Sequence, residues 1–316
     1  MKNPAPPPAN LAQPGLAGLL PRTPGLPRVL KRRTFLLGTL ALAACGTSEP
    51  SGTIRIAGGE PGGFYNDFAA LLSRLSPSPL TITPLQTGGS ADNLKHLREG
   101  TADLGLTLSD SAHMEQGLVA LGRVYENYLQ LVVLENSPYR TPADLVGKPV
   151  SLGATGSGAA LQGERLALGV REQHYPLRNA IDALKAGEIA ALLWSGGVPT
   201  PELNKASGIR LLPLDTFLPR LRQDYGKVYE RVDVRMGVYG SPTDIPTIGT
   251  PNLLVCRPDL SDEYASAVVR LLVEKAAELV PEQALGTQYL DVRSLIDTGK
   301  VPLHPGAAAE YRRLHG

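Results

Sequence analysis

LTITPLQTGGSADNLKHLREGTADLGLTLSD, residues 80–110, has the pattern of a strand, a loop, a helix and a second strand. Apolar residues alternate with threonine over its first four positions, as in a half-buried strand. A helix is predicted from Ser90 to Gly100, because serine is a good N-cap, the apolar residues keep helical spacing and glycine ends helices. A second strand is predicted from Leu104 to Leu108. This succession indicates an α/β fold.

The loop of this unit, Thr87-Gly88-Gly89-Ser90, is suited to bring backbone N–H groups close to a ligand. Glycine adopts positive φ readily and has no side chain to keep a ligand away. The loop also precedes a helix N-terminus, where unpaired N–H groups and the helix dipole favour an anion. We therefore expect a carboxylate or a phosphate to bind here.

The first 44 residues are interpreted as a signal peptide with a leader. Residues 1–30 are rich in proline, alanine and glycine and have no apolar period. Lys31-Arg32-Arg33 then precedes a short apolar run and small residues, which is typical of a secretory signal and resembles a twin-arginine export signal. Leu42-Ala43-Ala44-Cys45 resembles a bacterial lipobox, so we expect lipidation of Cys45 and a tether over residues 45–52. The alternative is an ordinary signal peptide with a chance cysteine.

Composition and spacing argue against several classes of function. A formal net charge of +1 gives no electrostatic footprint for nucleic acid. Cys256 lies in an apolar run and is expected to be a buried, unreactive thiol. The 5 histidines lack metal-ligand spacing, and neither Ser90 nor Ser157 fits the G-x-S-x-G nucleophile motif. We therefore predict no catalytic residue, no metal and no cofactor.

A similar α/β unit recurs later in the chain. A strand over residues 148–153 leads into Ala154-Thr155-Gly156-Ser157-Gly158 and a further helix. Two such units in series, each with a glycine loop at a helix start, indicate two lobes that face one cleft. The apolar segments 125–134 and 252–256 are predicted to cross between the lobes, and 234–239 to form a strand. The predicted boundaries are 53–133 and 251–316 for lobe 1 and 134–250 for lobe 2.

Four stretches resemble the TAXI-type substrate-binding proteins of TRAP transporters. They are GGEPGGFY at 58–65, TGGS at 87–90 with Asn93-Leu94, ADL at 102–104 ahead of Ser109-Asp110, and GSG at 156–158 with PLHPGA at 302–307. Leu108 departs from the pattern, because the family often has glutamine there. The resemblance implies a two-lobed periplasmic-binding-protein type II fold, in which each lobe is a sheet flanked by helices and the ligand lies in the inter-lobe cleft.

The resemblance also implies a function. The protein would capture glutamate, glutamine or a related small carboxylate outside the membrane by hinge closure, and would deliver it to a TRAP-type permease. We expect a monomer anchored by its lipid to the outer face of the cytoplasmic membrane, with no nucleic acid as partner. One alternative is a sensory lipoprotein that presents its ligand to a membrane kinase. Another is a secreted hydrolase, which would need a nucleophile–base pair that the sequence does not show.

Matched position by position, the resemblance implies a set of ligand-binding residues. They are Tyr65, Gly88, Gly89, Ser90, Asn93, Ser109, Asp110, Ser157, Gly158, Trp194 and Gly197. Asp110 is the candidate for the ammonium group of an amino acid. The structural alternatives are helix capping for Ser90 and Ser157 and core packing for Tyr65 and Trp194. We interpret His304 as a structural residue, either of a turn or between the lobes.

Overall fold

The computed structural model describes residues 50–281 and 290–315. The predicted signal peptide, Cys45 and residues 45–49 of the predicted tether lie outside the described residues. The last residue of the predicted tether, Gly52, already belongs to the first strand.

The described residues contain ten strands that form one mixed sheet. The strands are β1 (Gly52–Gly59), β2 (Leu80–Gln86), β3 (Leu104–Leu108), β4 (Val119–Leu134), β5 (Pro149–Ser151), β6 (Arg171–Gln173), β7 (Ala191–Gly196), β8 (Ile209–Leu212), β9 (Glu230–Val234) and β10 (Ile245–Cys256). Their order is β2-β1-β3-β10-β4-β7-β5-β6, with β8 paired to β4 and β9 paired to β10. Pairs at both ends of the sheet are parallel, and β4 and β10 are antiparallel to their neighbours.

Helices flank this sheet. They are α1 (Phe64–Leu75), α2 (Ser90–Arg98), α3 (Ser109–Ala112), α4 (Gly158–Leu166), α5 (Leu177–Ala186), α6 (Pro201–Lys205), α7 (Leu218–Tyr225), α8 (Asp262–Glu274), α9 (Val292–Leu295) and α10 (Pro305–His315). Helix α1 illustrates why they form, because Phe64, Phe68 and Leu72 repeat at helical spacing and are all buried on one face. Within the described ranges, none of the helices is long and apolar enough to cross a bilayer.

Two long strands, β4 and β10, run through the middle of the sheet. They pair antiparallel from Leu129 with Ile248 to Val119 with Cys256. The early part of β4 adjoins the β1–β3 side through β10, whereas its later part pairs with β7 and β8. The segments predicted to cross, 125–134 and 252–256, are thus parts of two continuous strands that join both sides into a single sheet.

The buried hydrophobic side chains form clusters that fall into two sets. Two clusters draw on residues 54–125 and 253–311, which we call the first half. The other two draw on residues 129–248, which we call the second half. The lobe boundaries expected from the sequence stay a prediction, and this division of the core supports them.

The strand predicted over residues 234–239 is wrong. Strand β9 ends at Val234, and Val238–Gly240 forms a 3-10 turn instead. Gly237 has a φ of 88°, and its N–H donates to the carbonyl of Ser241 at 2.8 Å. The glycine therefore reverses the chain where the alternation of apolar residues suggested that it stays extended.

Candidate functional site

A cavity of about 430 Å³, counted with its mouth, lies between the first and second halves. The first half contributes the loop before α1, the loop before α2 and the end of β3. The second half contributes the start of α4 and the end of β7. Both halves therefore contribute to the wall of the same cavity.

The structure brings most of the sequence-predicted residues to this cavity. Those that line it are Tyr65, Gly88, Gly89, Ser90, Ser157, Gly158 and Trp194. Asn93, Ser109, Asp110 and Gly197 do not line it. The ligand-binding role of the first group stays a prediction, and the placement of the second group requires correction.

Three helices begin at the wall of the cavity. The N-caps of α1, α2 and α4 are Gly63, Gly89 and Ser157, and all three line it. The first N–H groups of a helix have no partner within the helix, and the helix dipole places partial positive charge there. The three starts therefore create a site that favours an anion.

The start of α2 also contacts the second half. The N–H groups of Ala91 and Asp92 donate to the carbonyl of Gly156 at 3.0 and 3.3 Å. The Asp92 carboxylate accepts from the N–H of Gly88 at 2.9 Å. The N–H of Gly88, a residue that the sequence assigned to ligand binding, is thus bonded within the protein. The bonds to Gly156 join the two halves beside the cavity.

Tyr65 and Ser90 form a hydroxyl pair at the cavity wall. The Tyr65 and Ser90 oxygens lie 3.1 Å apart, and Tyr65 also donates to the Asn252 side chain. The Ser90 hydroxyl accepts from the N–H of Leu108 at 3.1 Å, so it ties the start of α2 to the end of β3. Capping by Ser90 is wrong, because the N-cap of α2 is Gly89. Burial raises the pKa of the Tyr65 phenol well above its usual range, which keeps it neutral.

On the second half, Ser157 caps α4. Its side chain accepts from the N–H of Ala160 at 3.1 Å, which confirms the capping alternative for this serine. Gly158 and Ala159 follow as the first helical residues and line the cavity. A Cβ atom on Gly158 would lie 2.3 Å from Leu108 Cδ1. Only glycine therefore allows the two halves to approach this closely.

Trp194 combines two of the expected roles. Its side chain is buried in a hydrophobic cluster of the second half, and its indole N–H donates to the Thr200 hydroxyl at 3.0 Å. It also lines the cavity, facing the position of Gly63. The residues that continue β7 beside it, Ser195 and Gly196, line the cavity as well.

Glu60 and Asn127 are among the polar residues of the cavity that were not predicted. Burial raises the pKa of the Glu60 carboxyl to about 7, although it accepts a hydrogen bond from the N–H of Leu177. Asn127 donates to the Ser195 hydroxyl at 3.2 Å, and its Oδ1 has no hydrogen-bond partner among the described residues. Glu60 belongs to the glycine loop at residues 58–65, so its position in that loop could have identified it as a site residue. Asn127 lies in the middle of an apolar strand and had none.

Two predicted site residues have structural roles instead. Asn93 is buried, donates to the Leu106 carbonyl at 2.6 Å and accepts from the Thr87 hydroxyl. It therefore fixes the glycine loop from behind. The Gly197 carbonyl accepts from Thr200 at 2.7 Å and from Gln130 at 3.3 Å, which turns it away from the cavity wall.

Asp110 was expected to bind an ammonium group in the cleft, but it belongs to a buried network between the halves. Its carboxylate pairs with Arg165 at 3.1 Å, with exposed side-chain fractions of 0% and 6%. Tyr229 donates to the same oxygen at 2.7 Å, and Gln162 lies 3.4 Å from it. Asp110 is therefore paired with side chains of the second half, and it does not line the cavity.

Ser109 lies beside Asp110 but faces a different cavity. That second cavity is also lined by His113, Lys227 and Lys300. The Ser109 hydroxyl is buried and has no hydrogen-bond partner among the residues that the structure describes. The start of α3 turns this side chain away from the three helix starts.

The expectations for Cys256 and His304 are confirmed. Cys256 is fully buried, and burial raises the pKa of its thiol to about 12, which leaves it unreactive. His304 accepts from the N–H of Gly306 at 3.1 Å, so its other ring nitrogen donates to the Leu260 carbonyl at 2.9 Å. It therefore stabilises the start of α10. In residues 50–281 and 290–315, no group of three or more His, Cys, Asp or Glu side chains could hold a metal ion.

Glu126, on β4 where the two halves meet, is expected to make stability depend on pH. Its side chain is 2% exposed and pairs with Arg123 at 2.8 Å. Burial outweighs this pairing and raises its pKa from 4.5 to about 7. The folded protein thus holds this proton more tightly than the unfolded chain does. The stabilisation by the protonated carboxyl is fully present below pH 4.5 and is lost as the pH rises through about 7.

Replacing this carboxyl removes the effect. Between about pH 4.5 and 7, the Glu126 carboxyl should lower the free energy of unfolding by at most about 3 kcal/mol. We expect this part of the fall to be missing in Glu126→Gln. Urea unfolding across that range measures it. Glu188→Gln is the control, because Glu188 is an exposed acid that is not among the groups that shift the Glu126 pKa. An unchanged slope in Glu126→Gln would contradict the assignment.

Comparisons with known proteins extend these observations. A family model described as the NMT1-like family matches residues 56–313. A solved structure of a protein from Bordetella bronchiseptica RB50 superposes with a TM-score of 0.52 at 16% identity, covering 84% of this chain and 98% of that chain. The predicted α/β fold is confirmed, with a mixed sheet flanked by helices. The sequence predicted a separate sheet in each lobe, whereas the strands of both halves belong to one sheet.

Two further solved structures show weaker similarity. One is a putative L-cystine ABC transporter from Listeria monocytogenes, with a TM-score of 0.49 and 15% identity over 76% of this chain and 99% of that chain. The other is a substrate binding protein of an amino acid ABC transporter, with a TM-score of 0.46 and 12% identity over 72% of this chain and 96% of that chain.

Proposed function

We propose that this chain, which belongs to the NMT1-like family, is an extracytoplasmic solute-binding protein that captures a small carboxylate between its two halves. The observation that carries the proposal is the convergence of three helix starts on one cavity. Two of these, at α1 and α2, come from the first half, and the third, at α4, comes from the second. An anion held there would contact both halves at once. The proposal is binding and release of this ligand, without a chemical step.

Capture would occur by hinge closure. The cross-contacts of Gly156 with the start of α2 lie at the cavity, on the face where the halves meet. Strands β4 and β10 are the natural hinge, because they alone among the described strands belong to both sides of the sheet. We propose that lobe 1 (53–133 and 251–316) and lobe 2 (134–250) separate about these strands to admit ligand.

Delivery and localisation rest on the sequence. The four motif stretches that resemble TAXI-type proteins support a TRAP-type permease as the partner that receives the ligand. The lipobox at residues 42–45 supports anchoring by Cys45 to the outer face of the cytoplasmic membrane. The paired arginines Arg32 and Arg33 support export by the twin-arginine route. We also propose that the protein is a monomer.

A thermal-shift screen tests the proposed function. Residues 46–316 are heated with amino acids, small monocarboxylates and small dicarboxylates. A ligand at a hundred times its dissociation constant stabilises the folded state by about 2.7 kcal/mol. For a protein of this size, that raises the midpoint by several degrees, at about 2–4 °C per kcal/mol.

The matching amines and alcohols that lack a carboxylate are the controls, at the same ionic strength. We expect shifts confined to a subset of the acids. A panel in which no acid shifts the midpoint would contradict carboxylate binding. Turnover of any of these acids by the purified protein would contradict a pure binding function.

A further inference from the structure

The charge of the cavity is carried by one residue. Of the described residues that line it, Glu60 is the only one with a carboxyl or a cationic group. The other polar groups on its wall are hydroxyls, the Asn127 amide and backbone. The cavity therefore combines a region that favours anions, at the three helix starts, with a single carboxylate.

The Glu60 carboxylate has acceptor capacity that the protein does not use. It accepts from the N–H of Leu177 at the start of α5, on the second half. A carboxylate has about four acceptor sites, and no ion pair joins Glu60 to a cation of the described chain. Burial without a counter-charge is also the reason that its pKa lies at about 7. Such a group is stabilised by a cation that arrives with the ligand.

Asn127 offers a second acceptor in the same cavity. Its side chain is 3% exposed, and its Oδ1 has no hydrogen-bond partner among the described residues. Buried amide oxygens are nearly always bonded, so this one indicates a donor from outside the chain. An ammonium group supplies three donors in tetrahedral directions and suits a pair of such acceptors.

We propose that Glu60, assisted by Asn127, binds the ammonium group of the ligand, so that the captured carboxylate is an amino acid. The inference rests on the proposed function, because it concerns the second charge of the same ligand. It replaces the earlier expectation for Asp110, whose carboxylate is already bonded to Arg165 and Tyr229. Glu60 thereby determines specificity, whereas the helix starts hold the carboxylate.

Paired ligands test this assignment. The full chain, purified in detergent, is titrated calorimetrically with L-glutamate and glutarate, L-alanine and propionate, and the other common amino acids with their des-amino partners. The experiment is run at about pH 8, where an acid with a pKa near 7 is ionised. We expect at least one amino acid to bind more tightly than its des-amino partner, by about 10- to 100-fold.

Glu60→Gln should remove that preference while binding of the des-amino acid stays within a few fold. Glu202→Gln is the matched control, because Glu202 lies on α6, pairs with Arg178 and Lys205, and does not line the cavity. A melting temperature of Glu60→Gln without ligand that is no lower than that of Glu202→Gln excludes a folding defect.

Three results would overturn the assignment. The first is tighter binding of the des-amino acids by the unmodified protein, and the second is an amino acid preference that survives in Glu60→Gln. The third is the absence of binding to every acid in the panel, which would overturn the proposed function and this inference with it. The first two results leave carboxylate binding intact, so the two failures are distinguishable.

Discussion

Gly158→Val is expected to abolish ligand binding while the protein still folds. A Cβ at this position would lie 2.3 Å from Leu108 Cδ1 and 2.9 Å from Ser90 Oγ, both on the first half. Valine adds two further carbon atoms at the same point. Leu108 is 1% exposed and Ser90 holds the end of β3, so neither side chain can withdraw freely. The two halves therefore could not close on a ligand.

The loss of affinity is expected to reach about 100-fold or more, because overpacking of a tight contact costs about 1–3 kcal/mol for the first added atoms alone. Folding is expected to survive. Gly158 is the first residue of α4 and does not have a positive φ, so valine fits its backbone conformation.

Calorimetric titration with the best ligand of the thermal screen measures this effect. Glu164→Val, on the exposed side of the same helix, is the matched control and should bind normally. Circular dichroism of both variants should match that of the unmodified protein. Unchanged affinity in folded Gly158→Val would show that binding does not require the contact between the halves seen here.

Arg165→Met is expected to cost about 3–5 kcal/mol of the free energy of unfolding, because it leaves the Asp110 carboxylate buried without its counter-charge. Methionine fills a similar volume, so the loss would reflect charge rather than a cavity. At about 2–4 °C per kcal/mol, the midpoint should fall by roughly 10 °C. Arg231→Met removes the ion pairs of a half-exposed arginine with Asp215 and Asp233 and should cost less than about 1 kcal/mol.

A second substitution separates charge from packing. Asp110→Asn in the Arg165→Met background removes the uncompensated carboxylate, and the double variant should be more stable than Arg165→Met alone. Urea unfolding measures the three free energies. A double variant that is less stable than Arg165→Met would instead mean that the Asp110 carboxylate is stabilised by Tyr229 and Gln162 without the arginine.

The parts of the fold that follow from local pattern were predictable. Alternation located β2, and helical spacing with a terminal glycine located α2. The glycine loops at residues 58–65, 87–90 and 156–158 do meet at one cavity, because each follows a strand end on the side where the halves face one another. Local chemistry thus specifies which chain segments build the site.

The partners of individual side chains were not predictable in this way. Asp110 lies next to predicted site residues, yet its role depends on Arg165, 55 positions further along the chain. Asn93 stands one helical turn after the glycine loop, but its amide faces back to Thr87 and Leu106. A local pattern predicts the helix or strand to which a residue belongs. The hydrogen-bond and ion-pair partners of its side chain depend on three-dimensional packing.

The pairing of β4 with β10 has a mechanical consequence. Two antiparallel strands that remain bonded along their length resist shear and sliding, and flex most easily as one ribbon. Their register shifts only next to Leu253 and Leu254, so bending would concentrate there. Movement of the halves would then have a single degree of freedom. Ligand binding in the cavity would then change one distance, the separation of the first half from the second half. A membrane partner could respond to that distance without contacting the ligand.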